Sequence, residues 1–396
     1  MPRRAAARPE QGEPPMSQLI SLLLSLAAVL APWAVGRGGE QPRDCSAFAE
    51  RLRQSVDVPG LSFVACDAEG EIAWGVAGVR SSDGDDPIRR EDPFHIGSLT
   101  KSMTATVAAR LVERGVIDWD TTIQMASPEL AAAIPDPAKS ITLRQLLSHR
   151  AGLPDDRFSA PMMMKLWSLQ GPLSDQRRAA SEFVLNASGT KPPGEAWVYS
   201  NAGYIIAGHM LEAVTGNEWE DLIQHELFEP LKMSSAGQGP PGINDPEATL
   251  PHGHGRGPNG FNPVPAVIGA DNPPVFGPAG RVHCSMADLA RYARAHLAGL
   301  RNQGGLLKPE TFAILHDDPE GDGYAMGWGI TGDADDRRSM HSGSNTRWMA
   351  LILIHPAQDL AIVVGMNAVP DRERQVDVLG SIRTFLMEEG LAVEKP

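Results

Sequence analysis

Ser98 and Lys101 stand three apart in the stretch Phe94-His95-Ile96-Gly97-Ser98-Leu99-Thr100-Lys101. A serine hydroxyl is a weak nucleophile until a neighbour takes its proton, and a desolvated lysine amine can take it. Residues three apart on a helix share a face, so the hydroxyl and the amine can meet. Met103, Val107 and Leu111 recur every fourth residue just beyond. That spacing predicts a helix that begins at or near Ser98 and stops at Gly115. A backbone N–H at such a helix end can serve an oxyanion. The S-x-x-K pattern occurs again as Ser188-Gly189-Thr190-Lys191, but Pro192 and Pro193 follow at once. Lys191 therefore cannot lead into a helix interior, and the helix context singles out Ser98.

Two further constellations bear on the same chemistry. Tyr199-Ser200-Asn201 stands just before a predicted helix over residues 202–214, closed by Gly216. A tyrosine hydroxyl beside a lysine ammonium can act as a base, and an asparagine amide can donate to a substrate carbonyl. His341-Ser342-Gly343 lies between two candidate strands. A strand there can pair with an extended acyl group, and the Ser344 N–H can complete an oxyanion hole. Taken singly, each has a plainer use as a capping serine, a capping asparagine or a polar turn.

The elements that must position these residues follow from pattern. Residues 61–66 and 72–76 read as a strand hairpin leading to the Ser98 helix. Residues 141–149 and 219–228 read as helices, the first ended by Gly152 and Pro154. Residues 234–280 are rich in Gly and Pro without a period, which predicts a long loop rimming the site. His252-Gly253-His254 falls in it and reads as exposed loop, not as a metal-ligand pair. Ser285 caps a helix with Asp288 three residues on. Residues 324–330 read as a strand, 349–354 and 360–364 as a hairpin, and 374–387 as a closing helix. Strands at both ends with helices between predict an α/β (α+β) fold. An antiparallel sheet flanked by helices is built from both chain ends, about 44–120 and 281–396, with an inserted, mostly helical part at about 121–280.

The 396 residues carry a net charge of −14, which argues against a general nucleic-acid binder. Arg3, Arg4 and Arg8 precede an apolar run over residues 19–35 that serines and Pro32 interrupt. It is too short and broken for a membrane span and reads as the core of a secretory signal, with Ala34-Val35-Gly36 as a cleavage candidate. Residues 1–43 are therefore set apart as signal peptide and linker, and the expected location is periplasmic or secreted. An uncleaved signal anchor is the one membrane contact this allows. Cys45, Cys66 and Cys284 make an odd count; Cys45 and Cys66 are the nearest pair, and free, buried thiols are the favoured reading.

Ser98-Leu99-Thr100-Lys101, Tyr199-Ser200-Asn201 and His341-Ser342-Gly343, in that order, resemble the three-motif series of class C β-lactamases and their relatives. Those relatives include D-amino-acid peptidases and carboxylesterases of penicillin-binding-protein fold. Gln145-Leu146-Leu147-Ser148-His149 through Gly152-Leu153-Pro154, and Gly277-Pro278-Ala279-Gly280, match as well, so the resemblance runs from about Asp44 to Leu391. It implies Ser98 as the acylated nucleophile, Lys101 as its proton acceptor or partner, and Tyr199 as general base and acid. It implies Asn201 and the His341-Ser342-Gly343 strand as substrate-binding, the Ser98 and Ser344 amides as oxyanion hole, and no metal or cofactor. The third motif departs from the family: class C β-lactamases resemble K-T-G there, and this chain has His341. A lysine is a fixed cation, whereas a histidine near pH 7 is mostly neutral, which weakens recognition of a carboxylate. Arg347 could replace that charge, and Asn345-Thr346-Arg347-Trp348 lacks the family's usual glycines. The expectation is a serine hydrolase of esterase or D-amino-acid peptidase type acting on small esters, amides or peptides. β-Lactamase activity ranks second, and a non-catalytic, penicillin-binding-like sensor is the alternative of another class. No G-x-S-x-G elbow supports an α/β-hydrolase.

Overall fold

The computed structural model describes residues 41–153, 160–187, 191–245, 249–258, 260–371 and 377–392. Its strands are β1 (Arg43–Asp44), β2 (Gly60–Cys66), β3 (Glu71–Gly78), β4 (Pro93–His95), β5 (Gly237–Gln238) and β6 (Gly253–Gly257). The later ones are β7 (Gly260–Val264), β8 (Val282–Ser285), β9 (Gly329–Thr331), β10 (Arg338–Ser344), β11 (Met349–His355) and β12 (Leu360–Met366). The main sheet runs β1-β3-β2-β12-β11-β10-β9. All its pairings are antiparallel except the short β1–β3 edge. Strands from the two chain ends meet at its centre, where Val64 of β2 lies opposite Val363 of β12.

Both central strands are buried along their whole length. Two-sided burial needs cover on both faces, which accounts for their continuous apolar runs. Helices Ser46–Val56 and Val378–Glu388 cover one face, with Phe48 stacked on Phe385 at 4.0 Å. Helix Met286–Leu300 covers the other, and behind it lies Thr100–Glu113, a helix buried over nearly its whole circumference. Helix Asn201–Thr215 packs against Leu173–Leu185 and against the short Gly277–Gly280 turn of helix. A left-handed Gly216 ends it, as the sequence indicates. From Pro42 onward the chain forms one compact unit.

Several expectations need correction. Residues 234–280 are not a plain loop: β5 pairs with β8, β6 and β7 form a hairpin, and 3-10 turns at Ile268–Ala270 and Pro274–Phe276 lead into Gly277–Gly280. Elements this short leave no readable period, and β5 is defined by a partner some 45 positions away. His254 is buried, not exposed: its Nε2 accepts the Ser82 N–H at 3.0 Å and its Nδ1 meets the Asn367 carbonyl at 2.8 Å. It pins the hairpin to the main sheet. Of residues 324–330 only the end is strand, because Gly323 and Gly327 take positive φ and break the run. Cys45, Cys66 and Cys284, by contrast, are free and buried, as the favoured reading has them, and no Cys45–Cys66 bridge forms. Residues 1–40, with the candidate signal, and Ser188 lie outside the described residues. Among the described residues no helix is long and apolar enough to cross a membrane.

Candidate active site

Ser98 sits in a single 3-10 turn, Gly97–Leu99, that feeds the Thr100–Glu113 helix. The turn is wedged between strand β10 and the Gly277–Gly280 segment. Gly97 has φ +53° and a Cβ there would fall on the Ser344 amide nitrogen, so this position requires glycine. A Cβ on Gly343 would overlap the Ile96 carbonyl and come within 2.7 Å of the Ser98 nitrogen. The two glycines let the backbone of β10 lie directly against the turn, which brings the Ser98 and Ser344 amides to one place.

Two side chains from different parts of the sequence converge on the Ser98 hydroxyl, which is itself half-buried. Lys101 Nζ is 3.1 Å from Ser98 Oγ, and Tyr199 Oη is 2.9 Å from it. Lys101 is fully buried. Its Nζ also donates to Asn201 Oδ1 and to the Ala279 carbonyl, each at 2.6 Å. A buried ammonium needs such partners, and two of these three oxygens can only accept. The contact with Ser98 is the one across which a proton can pass in either direction. Lys101 Nζ also lies 4.9 Å from the centre of the Tyr199 ring. With its Oδ1 turned to Lys101, Asn201 has its Nδ2–H₂ as the group able to donate to a carbonyl.

His341 projects from the same face of β10 as Gly343, whereas the exposed Ser342 and Ser344 side chains point the other way. Ser342 can therefore offer substrate its backbone, not its hydroxyl. His341 Nδ1 meets the Ser342 carbonyl at 2.8 Å, which assigns the proton to Nδ1, and its Nε2 lies 3.3 Å from the Tyr324 hydroxyl. Burial, reinforced by the Lys101 charge, pushes His341 down to about 4, while the Ser342 bond acts weakly against them. The sequence suggested a titration in the ordinary histidine range, and desolvation moves it out of that range. The Arg347 guanidinium extends over the β6–β7 hairpin, with Nη1 3.6 Å from where a Cβ on Gly255 would be.

Sequence reasoning gave no role to His149, Tyr204 and Tyr324, which form the wall behind Tyr199. The His149 ring centre is 4.5 Å from that of Tyr199 and 4.8 Å from that of Tyr324. Its Nδ1 accepts the Ser200 N–H at 3.1 Å, and burial, reinforced by the Lys101 charge, holds it well below the ordinary histidine range. A neutral His149 thus fixes the backbone next to Tyr199. Tyr204 donates to the Leu147 carbonyl at 2.6 Å. The signal for His149 was present, since it closes the Gln145–His149 phrase, but no spacing rule tied it to Tyr199. Lys191, the lysine of the second S-x-x-K match, is exposed and pairs with Gly152 through its backbone.

A family model described as Beta-lactamase matches residues 47–380. Among curated proteins the chain is similar to penicillin-binding protein 4 of Amycolatopsis lactamdurans, 29% identical over 262 residues, 65% of each chain. It is also similar to lovastatin esterase of Penicillium rubens, 29% identical over 197 residues, 45% of this chain and 48% of that one. The chain thus spans about two thirds and about half of the length of these relatives. Among solved structures, the octameric penicillin-binding protein homologue from Pyrococcus abyssi superposes with a TM-score of 0.70 at 21% identity, over 87% of this chain and 76% of that one. At that identity the likeness shows the fold.

Proposed function

The chain belongs to the β-lactamase family, and on that premise we propose that it is an exported serine hydrolase that cleaves small, uncharged esters or amides through an acyl-enzyme. The observation that carries this reading is the meeting of Tyr199 Oη and Lys101 Nζ on one hydroxyl, that of Ser98. In the reading, Ser98 Oγ attacks the substrate carbonyl while its proton passes to Tyr199, acting in its base form beside Lys101. The carbonyl oxygen becomes an oxyanion held by the Ser98 and Ser344 amides. The C–O or C–N bond then breaks, and Tyr199 returns the proton to the departing alcohol or amine. Water then attacks the acyl carbon while Tyr199 takes its proton; the acyl–Oγ bond breaks, Tyr199 returns that proton to Ser98 Oγ, and the carboxylic acid leaves. Asn201 Nδ2 and the backbone of β10 hold the acyl part.

The preference for uncharged substrates rests on His341, a neutral imidazole where a fixed cation would recognise a carboxylate. The division into a two-ended α/β part and a helical part at about 121–280 belongs to the same reading. So does export, supported by the three arginines ahead of the apolar run at 19–35. A panel of p-nitrophenyl esters, D-alanyl peptides and nitrocefin, run with a fluorophosphonate probe, tests the function. Turnover of neutral esters or amides with probe labelling supports it. Nitrocefin turnover matching that of esters would make the protein a β-lactamase, and labelling without any turnover would make it a sensor.

A further inference from the structure

One carboxylate that belongs to none of the motifs joins the two segments that supply the oxyanion amides. Asp271 lies between the turns Ile268–Ala270 and Pro274–Phe276, and its side chain is wholly buried. Its Oδ2 is 2.9 Å from His95 Nε2. His95 Nδ1 in turn accepts the Gly97 N–H at 3.1 Å. Because Nδ1 is the acceptor, the ring proton is on Nε2, and His95 donates to Asp271. The other carboxylate oxygen, Oδ1, accepts from Asn345 Nδ2 at 3.1 Å. Gly97 immediately precedes Ser98, and Asn345 immediately follows Ser344. Arg281 Nε lies 3.8 Å from Oδ2 and supplies the balancing cation.

We propose that Asp271 is a positioning residue, clamping the nucleophile turn through His95 and the end of β10 through Asn345 so that the Ser98 and Ser344 amides stay aimed at one oxygen. The inference rests on the serine-hydrolase reading above. Its chemical core is that both neighbours are donors. A carboxylate accepts from both at once, whereas an amide has one accepting oxygen and can serve His95 or Asn345 but not both. The groups thereby held act on the oxyanion, which exists only after attack, so the clamp bears on kcat more than on KM.

Asp271→Asn is nearly isosteric and separates this role from simple support of the fold. The readout is the ratio of kcat/KM for an aryl ester to that for its thionoester, in which sulfur replaces the carbonyl oxygen and fits the amides poorly. Removing an oxyanion donor outright typically costs about 10²–10³ in kcat, so loosening both should lower the ester kcat by roughly tenfold to a hundredfold and narrow the oxygen-over-sulfur preference, with KM little changed. Asn345→Ala should narrow the preference in the same way and carries the test if Asp271→Asn is not recovered folded. An unmoved preference, even alongside a lower kcat or melting temperature, overturns the clamp. Ser98→Ala run in parallel separates the failures. If it still turns over ester, the serine-hydrolase reading falls; if it is dead while Asp271→Asn keeps the parental preference, only the clamp falls.

Discussion

On the helical side of Ser98 stands a buried cation, Lys101, held by Asn201, Ala279 and Ser98 itself. On the strand side stands a buried imidazole, His341, which desolvation and the Lys101 charge keep neutral. Both groups are out of water, yet three oxygens surround the Lys101 amine, whereas His341 has one carbonyl and one hydroxyl, too little to offset its burial and the Lys101 charge nearby. A buried charge persists where its partners compensate its lost hydration, and a titratable group without them gives up its charge. In the proposed mechanism, that difference puts positive charge beside the Ser98 hydroxyl and withholds it from the His341 wall.

The largest effect that sharpens this contrast is on the helical side. Lys101→Ala, Tyr199→Phe and the double variant should each lose kcat by roughly a thousandfold or more and fall to a similar residual rate if, as proposed, the two act as one relay. Rates that multiply in the double variant would separate them. On the strand side, His341→Lys should shift the ratio of specificity constants toward carboxylate-bearing β-lactams by roughly tenfold, the worth of a charge-assisted hydrogen bond. Arg347→Ala, which alters a cation lying over the hairpin, should leave that ratio unchanged. A ratio that ignores His341→Lys and follows Arg347 would relocate the recognition charge. In the wild type the ratio should stay flat from about pH 8 down to about pH 5, since His341 titrates near 4. A step in the ordinary histidine range would mean that the strand side is charged after all.

Acid should also cost stability. His209, His283 and His341 titrate near 4 and His316 near 3, all lowered by burial first. In the unfolded chain they take up protons below their ordinary value of about 6.5. Between about pH 6.5 and 4 the unfolded state therefore binds more protons, and stability falls as pH falls, by up to about 1.4 kcal/mol per unit for each group. Denaturant unfolding at pH 7 and pH 5 measures this, and equal stabilities would mean that these rings are charged in the fold. The smallest effect is at the end of β10. Thr346, a β-branched residue, holds φ +75°, a conformation that a glycine would take without strain. Thr346→Gly should stabilise the protein by about 1 kcal/mol in the same unfolding experiment and leave Lys101 chemistry untouched.

Much of this was legible in the sequence because it is local. The S-x-x-K spacing, the apolar face after it and the Gly216 stop are properties of neighbours along the chain, and the helices formed as patterned. The two-ended sheet was legible because short apolar strands stand at both ends of the chain with helices between them. What was missed depends on partners distant in sequence. His254 looked like loop because its acceptor and donor, Asn367 and Ser82, are more than a hundred positions away. Tyr324 looked like a strand residue, and only the folded chain turns its hydroxyl to His341. Asp271 carried no pattern at all, since its meaning lies in His95 and Asn345. The value of His341 was misjudged for a related reason: the residue type gives an ordinary histidine, and burial decides its charge.

The central claim is that Ser98 is the group that becomes acylated. Peptide mass spectrometry of the protein after fluorophosphonate treatment tests it, with Ser98→Ala and Ser188→Ala alongside. A single adduct on the peptide that contains Ser98, kept in Ser188→Ala and lost in Ser98→Ala, is the expected result. An adduct that survives in Ser98→Ala, or that maps to another residue in the wild type, would contradict it.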